Sequence, residues 1–161
     1  MSIEKVRAYF AQFGMEKRIL EFDVSSATVE LAAQAVGVEG KQIAKTLSFL
    51  LGDACILIVA AGDARVDNKK YKERFGLKAK MFAHDDVPEY IGHAVGGVCP
   101  FAVKDGVKVY LDESLKRFET VFPAAGSANS AIELTIPELE KYSKFDGWVD
   151  VCKDWRTDAA E

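Results

Sequence analysis

The sequence predicts a mixed α+β fold, a single domain in which hairpin-linked strands build one sheet and helices surround it. Three observations carry that expectation. Two apolar runs, 43–51 and 55–60, are separated only by Gly52-Asp53-Ala54, the length and composition of a tight hairpin. Segments with helical spacing of apolar residues stand between strand candidates without a strict strand–helix–strand alternation. No internal repeat, low-complexity linker or composition break divides the 161 residues, so 1–155 is expected to form one domain and 156–161 a polar tail that frays.

The elements follow in order. Ile3, Val6, Phe10 and Phe13 recur at helical spacing, with Gly14 placed to stop the helix. Arg18–Phe22 reads as a short strand, and Val29–Val36 as a helix closed by Gly37, with one further turn at 40–43. The two strands of the first hairpin are apolar on both faces, which places them centrally in a sheet that is open to curling toward a barrel. Asp67 is a cap for a basic helix ending at Gly76; 78–82 is a strand candidate, and Asp85–Glu89 a helix start. Asp105-Gly106 between alternating apolar residues predicts a second hairpin over 101–111. Further along come a short helix from Asp112, strands at 120–122 and 131–134, and a capping box Thr135-Ile-Pro-Glu138 opening a helix toward Tyr142.

Composition excludes several classes. Apolar residues make up 49% and charged residues 29%, ordinary for a folded domain and unlike a disordered chain. No apolar stretch approaches the roughly 20 residues that span a bilayer, and 1–7 lacks a signal-peptide core, so no membrane partner is expected. Three scattered cysteines, Cys55, Cys99 and Cys152, frame neither a disulfide scaffold nor a Cys-x-x-Cys pair, which suits a cytoplasmic location. A net charge of −4 is not that of a DNA-coating protein. Yet Arg65–Lys80 alone carries +5, leaving −9 for the rest, so this segment is either a solvated helix face or a local phosphate-binding patch. Neither a dinucleotide fingerprint nor a phosphate loop is present, and His84 and His93 stand in no metal-ligand spacing; no cofactor and no metal are expected. A Cys99–histidine dyad with His84 or His93 is the remaining side-chain nucleophile candidate.

The residue that stands out is Lys45. On a strand it shares a face with Leu47, Phe49 and Leu51, where an ammonium is costly unless paired or wetted. It is either a lysine snorkelling at the sheet rim or a cation at the mouth of a pocket. Two glycine loops are candidate company: Gly96-Gly97-Val98-Cys99-Pro100, whose amides could face a carbonyl or an oxyanion, and Gly126–Ser130, where Ser127 and Asn129 offer polar contacts. Each alone also reads as an ordinary turn.

Taken in order, Ile43-Ala44-Lys45-Thr46-Leu47, Gly62-Asp63-Ala64-Arg65-Val66-Asp67-x-x-Lys70, Gly96-x-x-x-Pro100, Val109-Tyr110-Leu111-Asp112-x-x-Leu115 and the Gly126 loop resemble the YbaK/ProX/EbsC family, free-standing relatives of the editing domain of bacterial prolyl-tRNA synthetases. The resemblance runs from about Leu20 to Leu139. It implies a strongly curved sheet and trans-acting hydrolysis of the ester that joins a wrong, small amino acid (alanine- or cysteine-like) to tRNA, independent of metal. It places the family's lysine on Lys45 and its Gly-x-x-x-Pro loop on Gly96 and Pro100. The expected catalytic set is Lys45, Gly96 and Gly97. Substrate contacts are expected from Phe22, Thr28, Thr46, Pro100, Gly126, Ser127 and Asn129, and tRNA phosphate contacts from Arg65, Lys69, Lys70 and Lys72. Asp63 and Asp112 read as structural acids. The expected partners are the acceptor end of a mischarged tRNA and an aminoacyl-tRNA synthetase. One departure is visible: many relatives carry serine just before the Ala-Gly of the last loop, where this chain has Ala124. The rival expectations are a non-catalytic tRNA- or synthetase-binding module and a small-molecule hydrolase using Cys99.

Overall fold

The computed structural model describes residues 2–82, 86–93 and 97–155. The chain runs through α1 (Ser2–Ala11), β1 (Ile19–Glu21), α2 (Val29–Val36), β2 (Ile43–Leu51), β3 (Ala54–Ala61), β4 (Arg65–Val66), α3 (Asn68–Phe75) and α4 (Val87–Ile91). It continues through β5 (Lys108–Asp112), β6 (Thr120–Pro123), β7 (Ser130–Ile132), β8 (Leu134–Thr135), α5 (Ile136–Ser143), β9 (Gly147–Val149) and β10 (Cys152–Lys153). Six strands form the main sheet in the order β8-β6-β2-β3-β5-β9, curved into a half-barrel. Two small antiparallel pairs, β1 with β7 and β10 with β4, close its flanks.

The centre of the sheet follows from sequence. Every residue from Cys55 to Ala61 is buried, so β3 has no solvent face and is apolar throughout. It pairs antiparallel with β2 across the Gly52-Asp53 turn, where Gly52 takes a positive φ of 61° that a two-residue hairpin requires. On the other side β3 pairs parallel with β5, and β5 parallel with β9. Val6 and Phe10 bring α1 onto this core, with the Phe10 ring edge-on to Phe101 at 4.9 Å and to Tyr142 at 5.6 Å.

Helix ends obey local chemistry. Thr28 Oγ1 accepts the Leu31 N–H, and Asp67 accepts from Lys69 N and Lys70 N. At α5 the capping box is complete: Glu138 N–H donates to Thr135 Oγ1, and Thr135 N–H donates to Glu138. Arg18 grips the same carboxylate with bonds of 2.7 and 3.0 Å and holds the Glu138 pKa down, to about 2. A depressed carboxylate stabilises the fold above its unfolded pKa of about 4.3, and that contribution is lost as pH falls toward 2. Glu138→Gln is therefore expected to lower Tm at neutral pH, with the gap to wild type closing as pH drops from about 5 to about 2. Thermal melts across that range check it; a constant gap would mean the Arg18 pair contributes nothing.

Three expected elements differ. The 78–82 segment is no full strand; it meets β2 at the antiparallel Phe49–Met81 bridge and through a Leu50 N–H bond to Lys80 O at 2.8 Å. The Asp105-Gly106 turn exists, with Gly106 at φ 89°, but no hairpin flanks it. Both edges of β5 are taken by β3 and β9, while Ala102 at φ 53° and the Lys104 N–H bond to Ile91 O carry 101–104 away. The 131–134 strand divides into β7 and β8, which pair with different partners. The strands β9 and β10, only three and two residues long, were not legible in the sequence.

Candidate active site

Among the described residues, the outer edge of β2 is covered by two separate segments. One edge of that strand pairs with β3 from Ala44 to Leu51. The other is met by β6 at Ile43 and Ala44, and by 80–81 at Phe49 and Leu50. The register of the 80–81 contact also sets Phe82 opposite Ser48. A cavity of about 340 Å³ lies along this edge. Its walls come from the start of α2, from β2 itself, from Met81 and Phe82, and from Val98, Phe122, Ala124 and Ser130.

Lys45 is on the wall and half-buried. It stands opposite Ala60 on β3, and the turn that follows β3 lies within its reach. Its Nζ donates to Ala64 O and, at 3.4 Å, to Gly62 O. Burial lowers its pKa, an effect offset in part by Cys152 and Asp63. An ammonium has three N–H donors, so two carbonyls leave one for a ligand in the cavity. The carbonyl-bearing turn is itself braced. Arg117 clamps Asp63 with bonds of 2.9 and 2.5 Å and also donates to Trp155 O and Ser114 O. Asp112 is fully buried and accepts from Ser114 N and Val151 N. Both acids are structural, as expected.

The other expected residues divide. Thr28 and Thr46 line the cavity, and Thr46 Oγ1 is buried there without a partner among the described residues. Gly96 lies outside the described residues, as do His84 and Asp85. Gly97 is buried against the second loop: a Cβ there would sit 2.7 Å from Gly126 C and 2.8 Å from Gly126 O and Ser127 N. The two glycine loops therefore meet backbone to backbone, but Gly97, Gly126, Ser127 and Asn129 are behind the wall, which Val98, Ala124 and Ser130 supply. Ser127 Oγ is 2.7 Å from Ser130 Oγ, and Asn129 ties the loop to Phe22 through Nδ2 to Phe22 O and the Phe22 N–H to Asn129 O. Phe22, Ser127 and Asn129 thus position the wall without forming it. Pro100 belongs elsewhere, to a second cavity of about 260 Å³ bordered by Tyr9 and Tyr142. Of the phosphate candidates, Arg65, Lys69 and Lys72 are exposed, whereas Lys70 is tied to Asp150 Oδ1 at 3.2 Å and Cys152 O at 3.0 Å. Lys70 thereby links α3 to the C-terminal strands.

Ser26, Ser48 and Ser130 line the cavity and were missed. Ser48 has the opposite parity to Lys45, so a one-face reading of β2 passes over it; the cavity follows the strand's edge and is reached from both faces. The Cys99–His93 dyad does exist, with Sγ 3.6 Å from Nε2, yet both are fully buried. Burial raises the thiol pKa to about 12 and lowers that of the imidazole, and His93 Nε2 is 2.6 Å from Phe101 O. That is a core contact with almost no thiolate at neutral pH. Among the described residues, no group of three His, Cys, Asp or Glu side chains is arranged to hold a metal ion, and no helix is long and apolar enough to cross a membrane.

A lysine at a cavity mouth, two abutting glycine loops and a half-barrel sheet define an editing-domain architecture, and comparison with known proteins agrees. Residues 24–142 match the model of the aminoacyl-tRNA editing domain, and the chain belongs to that family. It is 56% identical over 156 residues to the uncharacterised protein YwhH of Bacillus subtilis, covering 96% of this chain and 99% of YwhH. It is 23% identical over 125 residues to the proline–tRNA ligase of Lactiplantibacillus plantarum, spanning 77% of this chain but 22% of that enzyme. A solved structure described as a candidate trans-editing enzyme for prolyl tRNA synthetase superposes with a TM-score of 0.84 at 29% identity, covering 94% of this chain and 97% of that one. The hypothetical protein APE2540 superposes with a TM-score of 0.82 at 28% identity, covering 92% and 99%.

Proposed function

We propose that this protein is a trans-acting aminoacyl-tRNA deacylase that hydrolyses the ester of a mischarged tRNA carrying a small amino acid. The observation that carries the proposal is Lys45, half-buried on the wall of the β2-edge cavity with a donor to spare. An aminoacyl ester is already activated, so the protein has only to orient it, admit water and stabilise the tetrahedral oxyanion. Water adds to the ester carbonyl, the bond to the ribose oxygen breaks, and the free amino acid and tRNA leave. Lys45 supplies positive charge to the terminal adenosine, its phosphate or the developing oxyanion. The loop that leads from Gly97 to Val98 on the cavity wall orients the carbonyl, and a free ribose hydroxyl of the tRNA helps activate the water. Arg65, Lys69 and Lys72 meet acceptor-stem phosphates, contacts that position RNA without reading its sequence.

The test is a panel of misacylated tRNAs incubated with the protein while loss of the amino acid is followed. Release from at least one small-amino-acid tRNA is expected; no release from any member ends the enzyme proposal. Cys99→Ser is expected to keep full activity, and thiol alkylation to leave the rate unchanged, because the Cys99 thiol is closed off and protonated. Loss of activity in Cys99→Ser, with folding intact by circular dichroism, would instead favour a thiol hydrolase. One observation favours a second reading, a binding module for tRNA or a synthetase: Ala124 supplies only a methyl to the wall where many relatives have a serine hydroxyl. Tight binding of aminoacyl-tRNA without turnover is its signature.

A further inference from the structure

A histidine closes the base of the loop that carries Val98 to the cavity wall. His93 follows α4, and its Nε2 lies 2.6 Å from Phe101 O across that loop. A carbonyl only accepts, so Nε2 carries the proton and donates, which leaves Nδ1 as the bare nitrogen of a neutral ring. Further along the chain the Lys104 N–H donates to Ile91 O at 3.0 Å. The two sides of the loop are thus joined twice, once by backbone and once by an imidazole, and the imidazole is the rung nearer in sequence to Val98. Both ends of that rung are fixed. His93 and Phe101 are fully buried, and the Phe101 ring packs edge-on against Phe10. Gly92 turns the chain out of α4 at φ 95°, with Lys104 Cγ 3.3 Å from where a Cβ would stand. α4 itself contributes Val87 to the cavity that Val98 also lines. One clasp therefore joins two parts of the same wall.

We propose that His93 is a positioning residue: its imidazole ties the end of α4 to Phe101 O and thereby holds Val87 and Val98 in place relative to each other on the cavity wall. The proposal deepens the deacylase reading and rests on it for the reaction that this wall serves. Packing alone does not account for the choice of side chain. Nδ1 is buried with no partner among the described residues, an arrangement that an apolar side chain of similar size would avoid. What the imidazole supplies, and a leucine does not, is the N–H to Phe101 O. Cys99 Sγ, 3.6 Å from Nε2 and 3.8 Å from Phe101 O, is too weak a donor to replace it. Burial lowers the imidazole pKa against the opposing effect of the Phe101 bond, and Lys5 of α1 lowers it further, so the ring is neutral at pH 7 and the clasp adds no charge behind the wall.

The experiment compares His93→Leu with His93→Gln in the full chain. Glutamine places an amide N–H near the position of Nε2, so it restores the donor without the ring. kcat and KM are measured with a misacylated tRNA that the wild type deacylates, well below the Tm of each variant. His93→Leu is expected to lower kcat at least about tenfold with KM close to wild type, because a small misplacement near the scissile bond costs rate while the contacts that bind tRNA are untouched. His93→Gln is expected to recover most of that loss. Wild-type kcat in His93→Leu, a raised KM with kcat unchanged, or no recovery in a folded His93→Gln would each overturn the proposal. Two further measurements need neither a folded His93→Leu nor turnover. Nitrogen NMR of the isotope-labelled imidazoles is expected to show the His93 ring as the Nε2–H tautomer with a slowly exchanging proton, and His93→Gln is expected to leave the Val98 amide shift unchanged. An Nδ1–H tautomer, a rapidly exchanging ring proton or a displaced Val98 amide defeats the clasp. If no tRNA is deacylated, the hydrolase proposal falls and these spectra still decide the clasp.

Discussion

Lys45→Ala is expected to lower kcat/KM for deacylation by about a hundredfold, the loss typical when one preorganised donor to a developing charge is removed. The effect should far exceed the change in stability. The ammonium is half-buried, disfavoured by desolvation, and held by two carbonyls, Gly62 O and Ala64 O. Removing it relieves the burial of a charge while leaving those carbonyls beside a cavity that water enters, so the two consequences oppose each other. Lys45→Arg separates the roles. A planar guanidinium keeps the charge but does not reproduce three tetrahedral donors aimed at two carbonyls and a ligand. Activity near the alanine level in Lys45→Arg, with Tm near wild type, assigns the function to geometry; undiminished activity in Lys45→Ala removes Lys45 from the mechanism.

Gly97→Ala carries the second large effect, this time through packing. The added Cβ would fall within 2.8 Å of Gly126 and Ser127 backbone atoms, which have no flexible side chain to yield. One loop must move, at a cost of about 1–3 kcal/mol and a Tm fall of several degrees. Val98 and Ala124, which follow or precede the touching glycines, line the cavity, so activity should fall along with stability. Gly147→Ala is the control: its Cβ meets nothing within 4 Å and its φ is not positive, so it is expected to be near neutral in both assays. Wild-type activity and Tm in Gly97→Ala would mean that the two loops are not held together as described.

The relation between Lys45 and the Arg117–Asp63 clamp gives the site a reason for its sequence order. The turn at 62–64 closes β3 directly opposite the start of β2, and the carbonyls it exposes are those that hold the lysine. Arg117, from the 3-10 turn after β5, fixes that turn from behind. Motif segments far apart in the chain are thus parts of one support, which is why they were recognisable together and uninformative singly.

What the sequence determined by itself was local. Caps at Thr28, Asp67 and Thr135, the Gly52-Asp53 hairpin, the fully apolar β3 and the anomalous parity of Lys45 all depend on contacts within a few residues or on side-chain period, and each is present in the structure. The ordered motifs were enough to reach the family. Only the tertiary structure decided where β5 pairs, that Lys70 is a brace, and that the cavity wall is Val98, Ala124 and Ser130 in place of Gly97, Ser127 and Asn129. The same holds for the outer edge of β2. Among the described residues, Pro123 and the 80–82 segment, distant in sequence from β2 and from each other, reach that strand edge from its two ends. That pairing is invisible in the sequence because a backbone amide is the same in every residue, and only its neighbours in the folded chain decide its partner.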